Sequence, residues 1–100
     1  MIIVRDVFQA GYGKGGELVA LLEEARQQSQ EKWGMSFAQR ILTDASGPFF
    51  TVVTETEMAS IGEWEQTSAR VFSLPEFADW FARMVPLVES GRREFYHLEG

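Results

Sequence analysis

The 100-residue sequence contains no cysteine, no asparagine, one histidine and three prolines. Without cysteine there is no disulfide, no thiolate zinc site and no cysteine nucleophile. With His97 as the sole imidazole, a conventional zinc site built from several His or Cys ligands is excluded. No Asp-x-Asp spacing supports a carboxylate site for Mg²⁺ or Ca²⁺, so neither metal nor cofactor is expected. Basic residues are also few. Nine Lys and Arg against 15 Asp and Glu give a net charge of −6, which opposes binding to phosphate backbones and to anionic membrane surfaces. No apolar run approaches the ~20 residues of a membrane span. Met1, Ile2, Ile3 and Val4 meet charge at Arg5 and Asp6, too soon for the core of a signal peptide. The expectation is a cytoplasmic protein with no nucleic-acid or membrane partner.

What is present is the composition of an ordinary globular domain, 45% hydrophobic and 24% charged, with 13% aromatic residues. A chain of this length buries only roughly 60–65% of its unfolded surface, so a subunit interface is a natural place for surplus aromatic area. Ile2 to Gln9 reads as a strand, rich in β-branched and aromatic residues. The turn Gly11-Tyr12-Gly13-Lys14-Gly15-Gly16 follows. Leu18, Leu21, Leu22, Ala25 and Ser29 then recur at helical spacing, with Gly34 as the expected stop. Ser36 to Asp44 and Phe49 to Thr56 are two further strands. The breaker-rich turn Ala45-Ser46-Gly47-Pro48 joins them as a hairpin.

Two helix starts carry the Ser-x-x-Glu capping signature, Ser60 to Glu63 and Ser73 to Glu76. Ile61, Trp64, Ser68 and Val71 share one face of the first segment. Phe77, Trp80, Met84 and Leu87 share one face of the second, where Asp79 and Arg83 are spaced as an i,i+4 pair. Pro86 marks its end, and Arg92 to Leu98 is the last strand. The order is β-α-β-β-α-β with the second helix in two pieces, the ferredoxin-like α+β arrangement. Right-handed crossovers place the helices on one face of a four-stranded antiparallel sheet, with the first and third strands central. Ile2-Ile3-Val4, Ile41-Leu42 and Phe49 to Val53 do not alternate as a half-exposed sheet should. The second face therefore calls for a partner, and a second copy of the same sheet is the simplest one.

The chain resembles the dimeric α/β-barrel superfamily and, within it, the NIPSNAP-like proteins. The resemblance rests on Arg5 in the first strand, Gly13-Lys14 ahead of the first helix, the hairpin, and the run Leu74-Pro75-Glu76-Phe77-x-x-Trp80-Phe81-x-x-Met84-Val85-Pro86-Leu87. It implies two sheets facing each other across a homodimer, often around a small cavity. It implies no single activity, since fold and function are separate claims.

Gly11-x-Gly13-x-x-Gly16 matches the dinucleotide fingerprint literally, between a strand and a helix. The acidic residue that should follow about 20 residues on is missing, and the second strand turns into a hairpin, so the motif reads as a flexible turn. Arg5 and Arg40 stand mid-strand, where a guanidinium needs a carboxylate or an anionic ligand. Asp6, Asp44 and Glu55 are the available internal partners. Tyr96 and His97 complete the candidate ligand-binding set. The leading functional expectation is a homodimer that binds a small, partly apolar ligand between its sheets. One alternative is a cofactor-free enzyme of the antibiotic-biosynthesis-monooxygenase type, using Arg5, Tyr96 and His97 for anchoring and acid–base work. Members of the superfamily with such activities typically rely on an asparagine, and its absence counts against this reading. The other alternative is a structural or protein-interaction module.

Overall fold

The computed structural model describes residues 1–33 and 38–100. The elements are β1 (Ile2–Ala10), α1 (Gly15–Glu31), β2 (Gln39–Thr43), β3 (Thr51–Met58), α2 (Ile61–Phe72), α3 (Pro75–Met84), a 3₁₀ turn (Val85–Leu87) and β4 (Val88–His97). The sheet order is β2-β3-β1-β4 and every neighbouring pair is antiparallel. The first and third strands are central, as the ferredoxin-like order requires. Gly34 and the expected strand residues Ser36 and Phe37 lie outside the described residues.

Alternation along the strands assigns the two faces. Ile2, Val4, Phe8 and Ala10 of β1 pack with the helices, as do their partners Met58 and Val52 of β3. One core cluster joins Ala10, Val52, Leu18, Leu21, Leu22 and Trp80. Leu18 and Val52 are completely shielded from solvent, and each such side chain contributes about 1.5–3 kcal/mol relative to exposure. The Trp80 indole N–H donates to the Leu21 carbonyl at 2.8 Å, which fixes α3 against α1. A smaller cluster of Ile2, Val4 and Met58 lies at the other end of the sheet, covered by Trp64.

Local chemistry explains most of the element boundaries. Ser60 caps α2, its hydroxyl accepting from the Glu63 N–H at 3.1 Å, and the Glu63 carboxylate accepts from the Ala59 N–H at 2.6 Å. The second expected capping box does not form. Leu74 is the N-cap of α3, and the Ser73 hydroxyl donates instead to the Arg70 carbonyl at 2.7 Å. Ser73 closes α2, and Pro75 alone starts α3 with its preset φ.

The last strand begins at Val88, earlier than the expected Arg92. Gly91 sits inside it opposite Phe8. A Cβ there would stand 3.3 Å from the Val7 carbonyl, so this glycine serves close strand approach rather than a turn. Phe49 and Phe50 belong to the hairpin turn, not to β3, and Phe50 takes a left-handed conformation with φ of 61°. The Phe50 ring fills the space beside Gly15, where a Cβ would meet it at 3.1 Å. Close packing of Gly15 against that aromatic ring, and the φ of 80° at Gly13, account for two glycines of this turn.

Candidate functional site

The register places each sequence candidate. Arg40 of β2 pairs with Glu55 of β3, Glu55 with Arg5 of β1, and Arg5 with Glu94 of β4. These residues occupy the face away from the helices and form one charged row across all four strands. Arg5 Nη1 donates to Glu55 Oε2 at 2.8 Å, and Arg40 Nε donates to Glu55 Oε1 at 2.7 Å. Glu94 lies 3.6 Å from Arg5 and 3.3 Å from Arg92. The adjacent row, Leu42, Val53 and Val7, is apolar. Tyr96 stands on the same face opposite Ile3. The second face is therefore a mixture of apolar and charged rows rather than a continuous apolar surface.

His97 pairs with Ile2 and so belongs to the helix side of the sheet, at its exposed edge. Consecutive residues of a strand point to opposite faces, so His97 and Tyr96 do not share one site. Asp6, a sequence candidate to neutralise Arg5, also faces the helices. Asp44 accepts from the Thr51 backbone N–H at 3.1 Å and organises the hairpin instead.

A cavity of about 190 Å³ lies on the helix side, between α1, α2 and the sheet. Its origin is visible in α1. The first half of that helix carries Leu18, Leu21 and Leu22 into the core, whereas the second half offers Ala25, Arg26, Ser29 and Gln30. Small and polar side chains leave space above Val4 and Met58. Opposite α1, helix α2 buries only Val71 completely and presents Trp64, Thr67 and Ser68. Apolar groups thus line the floor, and the walls combine Trp64, Val71 and Phe72 with polar side chains, the pattern of a small-molecule site.

The most organised group in the cavity is Arg93 of β4. Its Nε donates to Asp6 Oδ1 at 2.7 Å and its Nη2 to Asp6 Oδ2 at 3.3 Å. Its Cζ lies 4.9 Å from the centre of the Trp64 ring, within cation–π range. Trp64 is itself held edge-on by Phe95, with ring centroids 5.1 Å apart. Arg26 also lines the cavity and donates twice to Glu23, at 2.8 and 3.1 Å. Gln39 Nε2 donates to Thr56 Oγ1 at 2.9 Å on the sheet side. A second depression, of about 150 Å³, lies beside Arg40, Glu55 and Glu57 on the other face.

Sequence reading did not single out Arg93, Arg26 or Trp64 as a site. In the sequence, Arg93 falls within the last strand with no feature to mark it, and Trp64 shares a helix face with Ile61, Ser68 and Val71. The register that sets Arg93 opposite Asp6 was the decisive missing fact. A usable signal was present in the loss of bulky residues from the second half of α1.

Taken together, the topology and face assignments define an α+β ferredoxin-like protein. No family model matches the sequence, and no curated protein matches it significantly. Solved structures do. A NIPSNAP domain protein from Burkholderia xenovorans matches with a TM-score of 0.79 at 18% identity, over 99% of this chain and 95% of that one. A NIPSNAP family protein from Agrobacterium tumefaciens matches at 0.82 and 17%, over 96% and 90%. SnoaB, a cofactor-independent oxygenase from Streptomyces nogalater, matches at 0.71 and 9%, over 99% and 93%. The fold is thus the one found in NIPSNAP-domain proteins and in antibiotic-biosynthesis-monooxygenase-like proteins.

Proposed function

We propose that this protein binds a small, partly apolar molecule in the cavity between its sheet and helices α1 and α2. The observation that carries this reading is the cavity itself. It has an apolar floor at Val4 and Met58, an aromatic wall at Trp64, and an oriented guanidinium at Arg93. The inter-sheet location expected from sequence has weaker support, because Arg5 and Arg40 already spend donors on Glu55.

The exposed sheet face has a different role in this proposal, as the surface that pairs with a second copy of the chain. Leu42 and Tyr96 supply its exposed apolar area, on opposite sides of the charged row, while Val7 and Val53 are already covered and their row ends at Arg92. Arg40, Glu55, Arg5 and Glu94 neutralise one another, which limits the cost of covering them.

Native mass spectrometry of freshly purified protein, beside the same sample denatured, tests both parts. A dimer carrying a small extra mass supports the reading. A monomer contradicts the pairing of sheets. Retention of the same mass in a Val4→Trp variant, whose larger side chain fills the cavity floor, contradicts the assigned binding site.

A further inference from the structure

We propose that the ligand is an apolar acid about the size of a single ring, and that Arg93 receives its carboxylate. This deepens the cavity reading above and rests on it. Size comes first. An apolar cavity of about 150 Å³ holds benzene, and the cavity here measures about 190 Å³. That volume suits one ring, or an aliphatic body of similar bulk, with a short polar end.

Charge comes second. The charged groups lining the cavity are Arg26, Arg93 and Asp6, and each cation is paired with one carboxylate, Arg26 with Glu23 and Arg93 with Asp6. The site is therefore balanced in charge, and its preference for an anion rests on the guanidinium donors that these pairs leave unused.

Donor count comes third. A guanidinium has five N–H groups, and Asp6 accepts from Nε and from Nη2. The end formed by Nη1 and Nη2 has no protein acceptor among the described residues. That end is the planar fork that takes a carboxylate with two parallel hydrogen bonds. Asp6 on one edge and the Trp64 face at 4.9 Å hold the guanidinium in place before any ligand arrives. Arg93, whose side chain is 38% exposed, is thus oriented by Asp6 and Trp64 at the rim of the cavity. Trp64 and Met58 offer the apolar body a surface beside it.

Isothermal titration with cinnamate and with cinnamamide tests this, because the two share one body and differ in the charge of the head. The expected result is tighter binding of cinnamate by roughly ten- to a hundredfold. Arg93→Gln should abolish that preference. Asp6→Asn should enlarge it, since asparagine keeps a carbonyl for the Arg93 Nε–H and removes the competing negative charge. A gain of affinity cannot arise from misfolding, so the Asp6 variant keeps the test decisive if Arg93→Gln folds poorly. Equal binding of the two compounds overturns the acid assignment and leaves the cavity reading standing. A cinnamate preference that survives in folded Arg93→Gln overturns the role of Arg93. Binding of neither compound, even at millimolar concentration, overturns the ligand class, and the mass-spectrometric test above then decides the cavity reading separately.

Discussion

Arg5 and Glu55 face each other across the two central strands, with Nη1 and Oε2 2.8 Å apart. Glu55 is the more enclosed partner, its side chain only 12% exposed, and it also accepts from Arg40, whose side chain is 73% exposed. The charged row is therefore asymmetric. One carboxylate holds two guanidiniums, and the outer guanidinium is mostly in water.

That asymmetry predicts unequal costs of neutralisation. Glu55→Gln should destabilise the protein by about 1–3 kcal/mol, because Arg5 loses its nearest anion in a partly buried setting. Arg40→Gln should change stability by no more than about 0.5 kcal/mol. Urea denaturation at one fixed protein concentration compares the two, and equal losses would contradict the ranking.

The two serine starts make a second comparison. Ser60→Ala removes a real cap and should cost about 1 kcal/mol. Ser73→Ala should cost less, since the Ser73 hydroxyl only supplements the carbonyl of Arg70 at the end of α2. Thermal melts of both variants would show the difference in order.

A pH dependence follows from the link between α1 and α3. Arg83 Nη2 donates to Glu24 Oε1 at 2.8 Å, and this hydrogen bond lowers the Glu24 pKa below its ordinary value of 4.5. A depressed folded-state pKa means that the unfolded chain binds more protons in this window. The contribution is present above pH 4.5 and is lost as pH falls through the folded value. Glu24→Gln should therefore lower stability slightly at neutral pH and converge with wild type in acid. A constant gap between the two curves from neutral pH down to acid would contradict the assignment.

Trp80→Phe removes the buried indole N–H that bonds the Leu21 carbonyl, together with part of the core. A loss of about 1–3 kcal/mol is expected. It should appear without loss of cinnamate binding, because Trp80 belongs to the cluster at the far end of the sheet from Ile2, Val4 and Met58.

The fold was largely legible because its signals are local. The leucine spacing of α1, the Ser60 cap and the breakers between β2 and β3 each act within a few residues of themselves. Errors arose where a nonlocal contact decided. The hydroxyl of Ser73 had two possible partners, and the Arg70 carbonyl won. Arg83 stands four residues from Asp79, yet its hydrogen bond goes to Glu24 on another helix. Phe49 and Phe50 have high strand propensity, but the ring of Phe50 is needed beside Gly15. The cavity was hidden for the same reason. Asp6 and Arg93 are 87 positions apart, and only the strand register brings them together. A shift of one residue in that register would have sent Arg93 to the opposite face.

The most direct test of the central claim is an amide and indole NMR titration of the wild-type protein with cinnamate. Binding in the cavity predicts shifts at the indole N–H of Trp64 and the amides of Val4, Met58 and Val71, with Trp80 unmoved. Shifts confined to Arg5, Val53 and Tyr96 would place the ligand on the opposite face of the sheet and contradict the account.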